Sequence, residues 1–351
     1  MRSMRVLAAA GLGLAIMATT SGFTSSAGPS WRLTDTGVTV RFRGLAPVSG
    51  QVAWAAGSAG TVLRTVDGGR HWASVAPAAA AGLEFRDIEA WDARHAVALA
   101  IGNGDASRIY TTGDGGRTWT ETFRNDDEAA FYDCVTFMDR RHGLALSDPV
   151  GGKFRILATD DGGRTWAVRP TTGMPDALPG EFAFAASGTC LVSADHLGAG
   201  RAWFATGGGA TARVFSTTNG GRLWSVVDSP LPSGEAAGVF SLAFKDPWHG
   251  IAVGGNYPTP EDAPDGAATT RDGGRTWTVA RTVPGEYRSG ADWLGVLPVA
   301  VAVGPTGSDI TYDGGRTWKR FDTGSFDSVF CTPDLSCWAS GEKGRIARLS
   351  R

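Results

Sequence analysis

"TVDGGRHW" at 65–72, "TGDGGRTW" at 112–119, "TDDGGRTW" at 159–166, "TTNGGRLW" at 217–224, "TRDGGRTW" at 270–277 and "TYDGGRTW" at 311–318 are one eight-residue box written six times. Successive boxes start 47, 47, 58, 53 and 41 residues apart. Between them no helical period appears. The intervals hold short apolar runs such as "VAWAAG", "AVALAIG" and "GIAVGG", each followed by a Gly-rich turn and another short strand. A unit of about 45 residues with several short strands and one fixed turn is the arithmetic of a β-propeller blade. A seventh copy without a box ends the chain, because "ASGEKGRIARL" near the C-terminus matches "AAGSAGTVLRT" of the first repeat. The segment "WRLTDTGVTVRF" (31–42) precedes the first repeat and is expected to supply the missing outer strand, closing the ring and removing a sheet edge. The predicted fold is all-β: a seven-bladed propeller of four-stranded blades in one domain, residues 28–351.

The box has a turn's chemistry. Asp67, Asp114, Asp161, Asn219, Asp272 and Asp313 suit a side chain that bonds local backbone N–H groups. The Gly pair that follows allows positive φ. Trp72, Trp119, Trp166, Trp224, Trp277 and Trp318 each bring a large ring to bury between sheets. A calcium loop would need several acidic positions per box, and most boxes have one. No metal site is expected.

Composition narrows the partners. The 351 residues carry a net charge of −2 with no run of Lys or Arg, which argues against nucleic acid or an anionic membrane surface. The N-terminus, "MRSMR" followed by "VLAAAGLGLAIMA" and "TSSA", has the layout of a secretory signal ending near Ala27. Its apolar stretch is too short for a comfortable transmembrane helix. The mature chain is therefore expected outside the cytoplasm, as a monomer. Four cysteines fit an oxidising setting. Cys331 and Cys337 flank "TPDLS", a turn that brings two strand ends within bridging distance. Cys134 and Cys190 are either a second bridge or two buried thiols.

At the boxes the sequence resembles the Asp-box, or bacterial neuraminidase, repeat. The resemblance spans nearly the whole mature chain. It implies that the box lies at the propeller's periphery, between the two outer strands of a blade and remote from any active site. Families sharing the repeat include sialidases, the sortilin ectodomain, xyloglucan-cleaving glycosidases and the photosystem II stability/assembly factor propellers. The dense "DGGRTW" form and the compact length are most similar to the last group and its bacterial relatives. An oxidoreductase label carried by some of those relatives has no support here: there is no dinucleotide fingerprint, haem motif or redox-spaced cysteine pair. No cofactor is expected.

Function is expected where the blades stop being alike. Counting from each box Trp to the start of the next innermost strand gives Arg86, Asp133, Glu181, Arg288 and Asp327, which should face one central funnel. The turns between the two middle strands of each blade open on the same face, at 102–107, 147–154, 206–213, 254–267, 304–309 and 341–344. The longest, "GGNYPTPEDAPDGA", contains Tyr257, and the third ends in Arg213. His95, His142 and His249 recur at one turn position in three blades and so cannot gather at one metal. His71 and His196 stand alone.

Two functions compete. One is a non-enzymatic binding or assembly propeller whose charged funnel recognises a protein partner or a cell-envelope glycan. The other is a glycoside hydrolase, either with Asp133 and Glu181 as a carboxylate pair or sialidase-like. The sialidase form would use an arginine cluster of Arg86, Arg288 and Arg213 with Tyr287 or Tyr257 beside Glu181. The early Arg-Ile-Pro motif of sialidases is missing. The first reading is preferred.

Overall fold

A computed structural model describes residues 28–194 and 200–350. The signal-like segment and His196 lie outside the described residues. Seven four-stranded antiparallel sheets stand around one axis, so the predicted blade count and strand number hold. Their innermost strands are Phe42–Pro47, Glu84–Ala90, Tyr132–Phe137, Leu191–Ser193, Ala237–Phe244, Gly290–Trp293 and Ser328–Cys331, numbered here as blades 1 to 7. In blade 7 the outermost strand is Ser30–Thr34 from the N-terminus. It pairs with Ile346–Ser350 from Trp31 opposite Leu349 to Thr34 opposite Ile346. The two chain ends thus close the ring, as the repeat count requires.

The core is a series of apolar clusters shared between neighbouring blades. Continuous apolar runs on the second strands, such as Ala96–Ile101 and Ala300–Gly304, are buried on both faces. Each box fills the turn between the two outer strands. In the third box the Thr159 hydroxyl donates to Asp161 Oδ1 at 2.8 Å and accepts from the Gly163 N–H at 2.9 Å. Asp161 Oδ1 in turn accepts from the N–H groups of Arg164 and Thr165. The same hydroxyl–carboxylate–amide knot recurs at Thr65/Asp67, Thr112/Asp114, Thr270/Asp272 and Thr311/Asp313, and Asn219 reproduces it with its amide oxygen. Trp72, Trp119, Trp166, Trp224 and Trp277 of the boxes pack edge-on against other rings. Trp119 meets Trp54 of blade 1 and Trp72 meets Trp338 of blade 7, with centroids 6.2 and 6.0 Å apart.

The recurring histidines are turn devices. In each, an aspartate three residues earlier accepts from the histidine backbone N–H and contacts its Nδ1: Asp92 with His95, Asp139 with His142, Asp246 with His249. Both cysteine pairs are bonded, Cys331 to Cys337 across one strand turn and Cys134 to Cys190 across two blades.

Blade 4 departs from the pattern. The run "GEFAFAA" reads as its innermost strand, yet that strand is only Leu191–Ser193. Residues 182–190 instead cross the propeller axis. The Ser187 hydroxyl donates to Ser289 O of blade 6 at 2.7 Å, and the Ser328 hydroxyl of blade 7 donates to Ser187 O at 3.2 Å. Gly188, at φ +77°, sits so close to Asp87 of blade 2 that a Cβ there would lie 2.4 Å from Asp87 Oδ1. This segment is a plug, pinned by the Cys134–Cys190 bridge, and it divides the axial channel into two separate cavities.

Candidate functional site: a funnel of arginines, carboxyls and aromatic rings

On the face where the innermost strands begin, the plug forms the floor of a cavity of about 730 Å³. Blade 1 contributes Arg41 and Arg43, blade 2 Arg86, blade 3 Asp133 and Asp148, and blade 7 Asp327. The aromatic side is built from Phe182 and Phe184 of the plug with Phe240, Tyr257 and Tyr287. Phe184 stacks on Phe240 with centroids 3.7 Å apart, and Tyr287 meets Phe240 edge-on at 4.7 Å. The 254–267 turn bends over this wall. Tyr257 is 56% exposed at its rim, and Pro260 O accepts from the Tyr287 N–H at 2.7 Å.

The charges are not neutralised pairwise. Asp327 is satisfied by Arg41, whose Nε and Nη2 donate to its two oxygens at 2.8 and 2.5 Å. That hydrogen-bonded carboxylate raises the Arg41 guanidinium. Arg43 is left over: its Nε is 3.8 Å from an Asp327 oxygen, is buried, and has no hydrogen-bond partner. Burial and the neighbouring Arg86 charge push Arg43 down to about 10. Arg86 is also lowered by burial; it holds Glu84 Oε1 at 3.2 Å and donates to Ala185 O of the plug at 2.8 Å. Two guanidiniums facing one cavity, one of them without a carboxylate of its own, make a site that an anion would relieve.

The sequence-derived residues divide into two sets. Arg86, Asp133, Tyr257 and Asp327 come together on the cavity wall. Glu181, Arg213 and Arg288 do not, and the expectation of Glu181 and Arg288 as central contacts and of Arg213 as a binding residue of the middle turn is corrected. Glu181 Oε1 accepts from Arg213 Nε at 2.9 Å, its Oε2 pairs with Arg213 Nη2, and the Thr206 hydroxyl and the Leu178 N–H complete its shell. Its side chain is wholly buried. Arg288 is equally sealed, donating through Nε and Nη2 to Asp309 Oδ2 at 2.7 and 2.5 Å. Both ion pairs join an innermost strand or plug to the following middle turn, so the same turn residues that open on this face also consume its charges.

The sequence counting missed Arg41, Arg43 and Asp148. Blade 1 has no preceding box from which to count, but "FRGL" at 42–45 repeats the "FRDI" of 85–88 and puts Arg43 in register with Arg86. Asp148 lies in the 147–154 turn, at a register shift between Ser147 and Pro149 that turns it towards the plug.

Among the described residues no group of three or more His, Cys, Asp or Glu side chains is arranged to hold a metal. The other axial cavity, about 520 Å³, lies beyond the plug and is lined by Asp87, Trp91, Lys245 and Trp293 among others.

No family model and no curated protein matches the sequence. Solved structures do match. YCF48 bound to a D1 peptide aligns with TM-score 0.63 at 13% identity, over 92% of this chain and 97% of that one. YCF48 from Cyanidioschyzon merolae aligns with TM-score 0.63 at 14% identity, over 91% and 98%. The GH74 xyloglucanase from Xanthomonas campestris aligns with TM-score 0.61 at 16% identity, over 91% of this chain but 53% of its own. At these identities the shared property is the seven-bladed fold. A propeller solved with a peptide bound and a xyloglucanase both stand among the similar structures.

Proposed function

We propose that this chain is an exported, non-enzymatic binding propeller whose funnel recognises a protein partner through a carboxylate and an adjacent apolar side chain. Arg43 carries the reading: a side chain 19% exposed, with a buried, unpartnered Nε, on the wall of a cavity large enough for several residues of an extended peptide. Arg86 adds a second positive charge, and the Phe184–Phe240–Tyr287 wall supplies apolar surface beside them. The similarity to a propeller solved with a peptide bound is consistent with a peptide as occupant. Export rests on the signal-like N-terminus and agrees with two disulfides. Assignment of the six boxes to the Asp-box repeat belongs to the same reading.

Hydrolysis is the weaker reading. The Asp133–Glu181 pair cannot serve, since Glu181 is sealed by Arg213. Burial pushes the Tyr287 hydroxyl well above its ordinary value, the opposite of what a tyrosine nucleophile needs.

Selection from a random peptide library displayed on phage tests the proposal. The wild-type protein should enrich peptides with an acidic side chain or free C-terminus next to an aromatic or large aliphatic residue. Arg43→Gln should bind the selected peptides at least tenfold more weakly, the loss expected for one charge-assisted hydrogen bond. Equal binding by the variant would remove Arg43 from the site.

A further inference from the structure

The funnel holds a second, acidic device on its blade 3 side. Asp133 is only 2% exposed, and its Oδ2 is buried with no hydrogen-bond partner. The backbone N–H of Asp148 donates to Phe131 O at 3.0 Å, and the Asp148 side chain, nearer to solvent, accepts from the Ala183 N–H at 2.9 Å. Both line the cavity. Arg86 is the positive group that faces Asp133, and it is engaged by Glu84 and by Ala185 O. The plug residues packed against the pair, 182–188, carry no ionisable side chain.

Two like charges buried together are unfavourable unless a proton or a cation lies between them. Burial and the Asp148 charge push the Asp133 carboxyl well up, and burial pushes Asp148 up to about 7. Near neutrality the empty pair therefore retains a proton that an incoming cation would displace.

We propose that Asp148, with Asp133 behind it, forms a cation-recognising subsite that takes an ammonium group of the bound peptide, a lysine side chain or a free N-terminus. The inference rests on the reading of the funnel as a peptide site. It makes the preferred ligand zwitterionic, its carboxylate at Arg43 and its ammonium at Asp148. An ammonium suits the donor set better than a metal ion. Two carboxyls fall short of the six or more oxygens a hard dication takes, whereas an ammonium needs two or three acceptors and tolerates the aromatic faces of Phe182 and Phe184 nearby. Asp148 is the contact; Asp133, with almost no exposed surface, positions it and shares its proton. Ammonium binding releases that proton to solvent, so affinity rises with pH.

Hexylammonium chloride and sodium hexanoate, titrated separately into the full mature protein with ¹³C-carboxyl-labelled aspartate, test the idea by NMR. At pH 8 hexylammonium should shift the Asp148 resonance saturably. Its Kd should weaken about tenfold at pH 6, where a group titrating near 7 is mostly protonated. Asp148→Asn, which still accepts from Ala183, should lose the binding, with its urea midpoint confirming a folded protein. Binding that is flat between pH 6 and 8, or that survives Asp148→Asn, overturns the subsite. Hexanoate reports the arginines independently. If hexanoate binds and hexylammonium does not, the acidic subsite falls and the peptide reading stands. If only hexylammonium binds, the subsite stands and the arginine reading falls. If neither binds, both fall.

Discussion

At the residue scale, one aspartate per box does most of the local work. Asp161 takes hydrogen bonds from two backbone N–H groups and two hydroxyls. Asp161→Ala should destabilise the protein by about 1–2 kcal/mol in urea unfolding, the net value of the lost bonds at a partly exposed site. Asp161→Asn should be far milder at neutral pH, because Asn219 already makes the same turn in blade 4. The two variants should differ from wild type in acid. The Thr118 N–H and hydroxyl hold Asp114 down to about 2, and at Asp161, against burial that pushes it up, Thr165 does the same. A depressed carboxylate contributes stability above its unfolded value of about 4 and loses it as pH falls towards 2. Each Asp→Asn exchange should therefore flatten the acid limb of the stability curve, read by urea midpoints between pH 2 and pH 5. An acid limb that keeps its slope would show that the box carboxylates are not its source. Box carboxylates are saturated by their own turn, whereas Arg43 Nε and Asp133 Oδ2 are buried without a partner.

At the scale of elements, the plug is where sequence reading and structure part. The boxes, the second strands and the closing strand were legible because each repeats with a period that only one architecture satisfies. Residues 180–190 were not, since "GEFAFAA" alternates like a strand and its register from the box Trp agrees with one. What diverts it is non-local: a disulfide to Cys134, hydroxyl contacts to Ser289 and Ser328, and a glycine held against Asp87. The site was half legible for a related reason. Position along the chain places Arg86, Asp133, Glu181 and Arg288 equivalently, but whether such a charge faces the cavity depends on whether the next middle turn offers a partner, as Arg213 and Asp309 do. Replacing both Cys134 and Cys190 by Ser should cost about 2–4 kcal/mol, given the long loop that the bridge closes. Amide hydrogen exchange should then speed up at 182–189 more than in the blades. Gly188→Ala should be at least as costly as one cysteine exchange, since it forces a side chain into positive φ and into Asp87. A variant with wild-type stability and exchange would mean that the channel is not plugged as described.

At the scale of the molecule, ring closure and the funnel follow from the same arrangement. Removing residues 28–34 deletes the strand that covers Ile346–Ser350 and leaves a bare sheet edge. The truncated chain should unfold at lower urea and self-associate, seen by light scattering, while a chain that stays monomeric and equally stable would contradict closure by the terminal strands. The funnel's carboxyls act on the whole fold in the opposite sense to the box aspartates. Asp148, raised to about 7 by burial, contributes stability below about 4 and loses it as pH rises through 7. Stability should peak on the acidic side of neutrality, and Asp148→Asn should flatten its decline towards pH 8. Whether Arg43 takes a ligand carboxylate is decided by a double-mutant cycle in fluorescence anisotropy. A selected peptide and its carboxamide analogue are each measured against wild type and Arg43→Gln. A coupling energy of about 1.5–3 kcal/mol between the two changes is the expected result for a charge-assisted pair; additive losses, with no coupling, would show that the carboxylate is bound elsewhere.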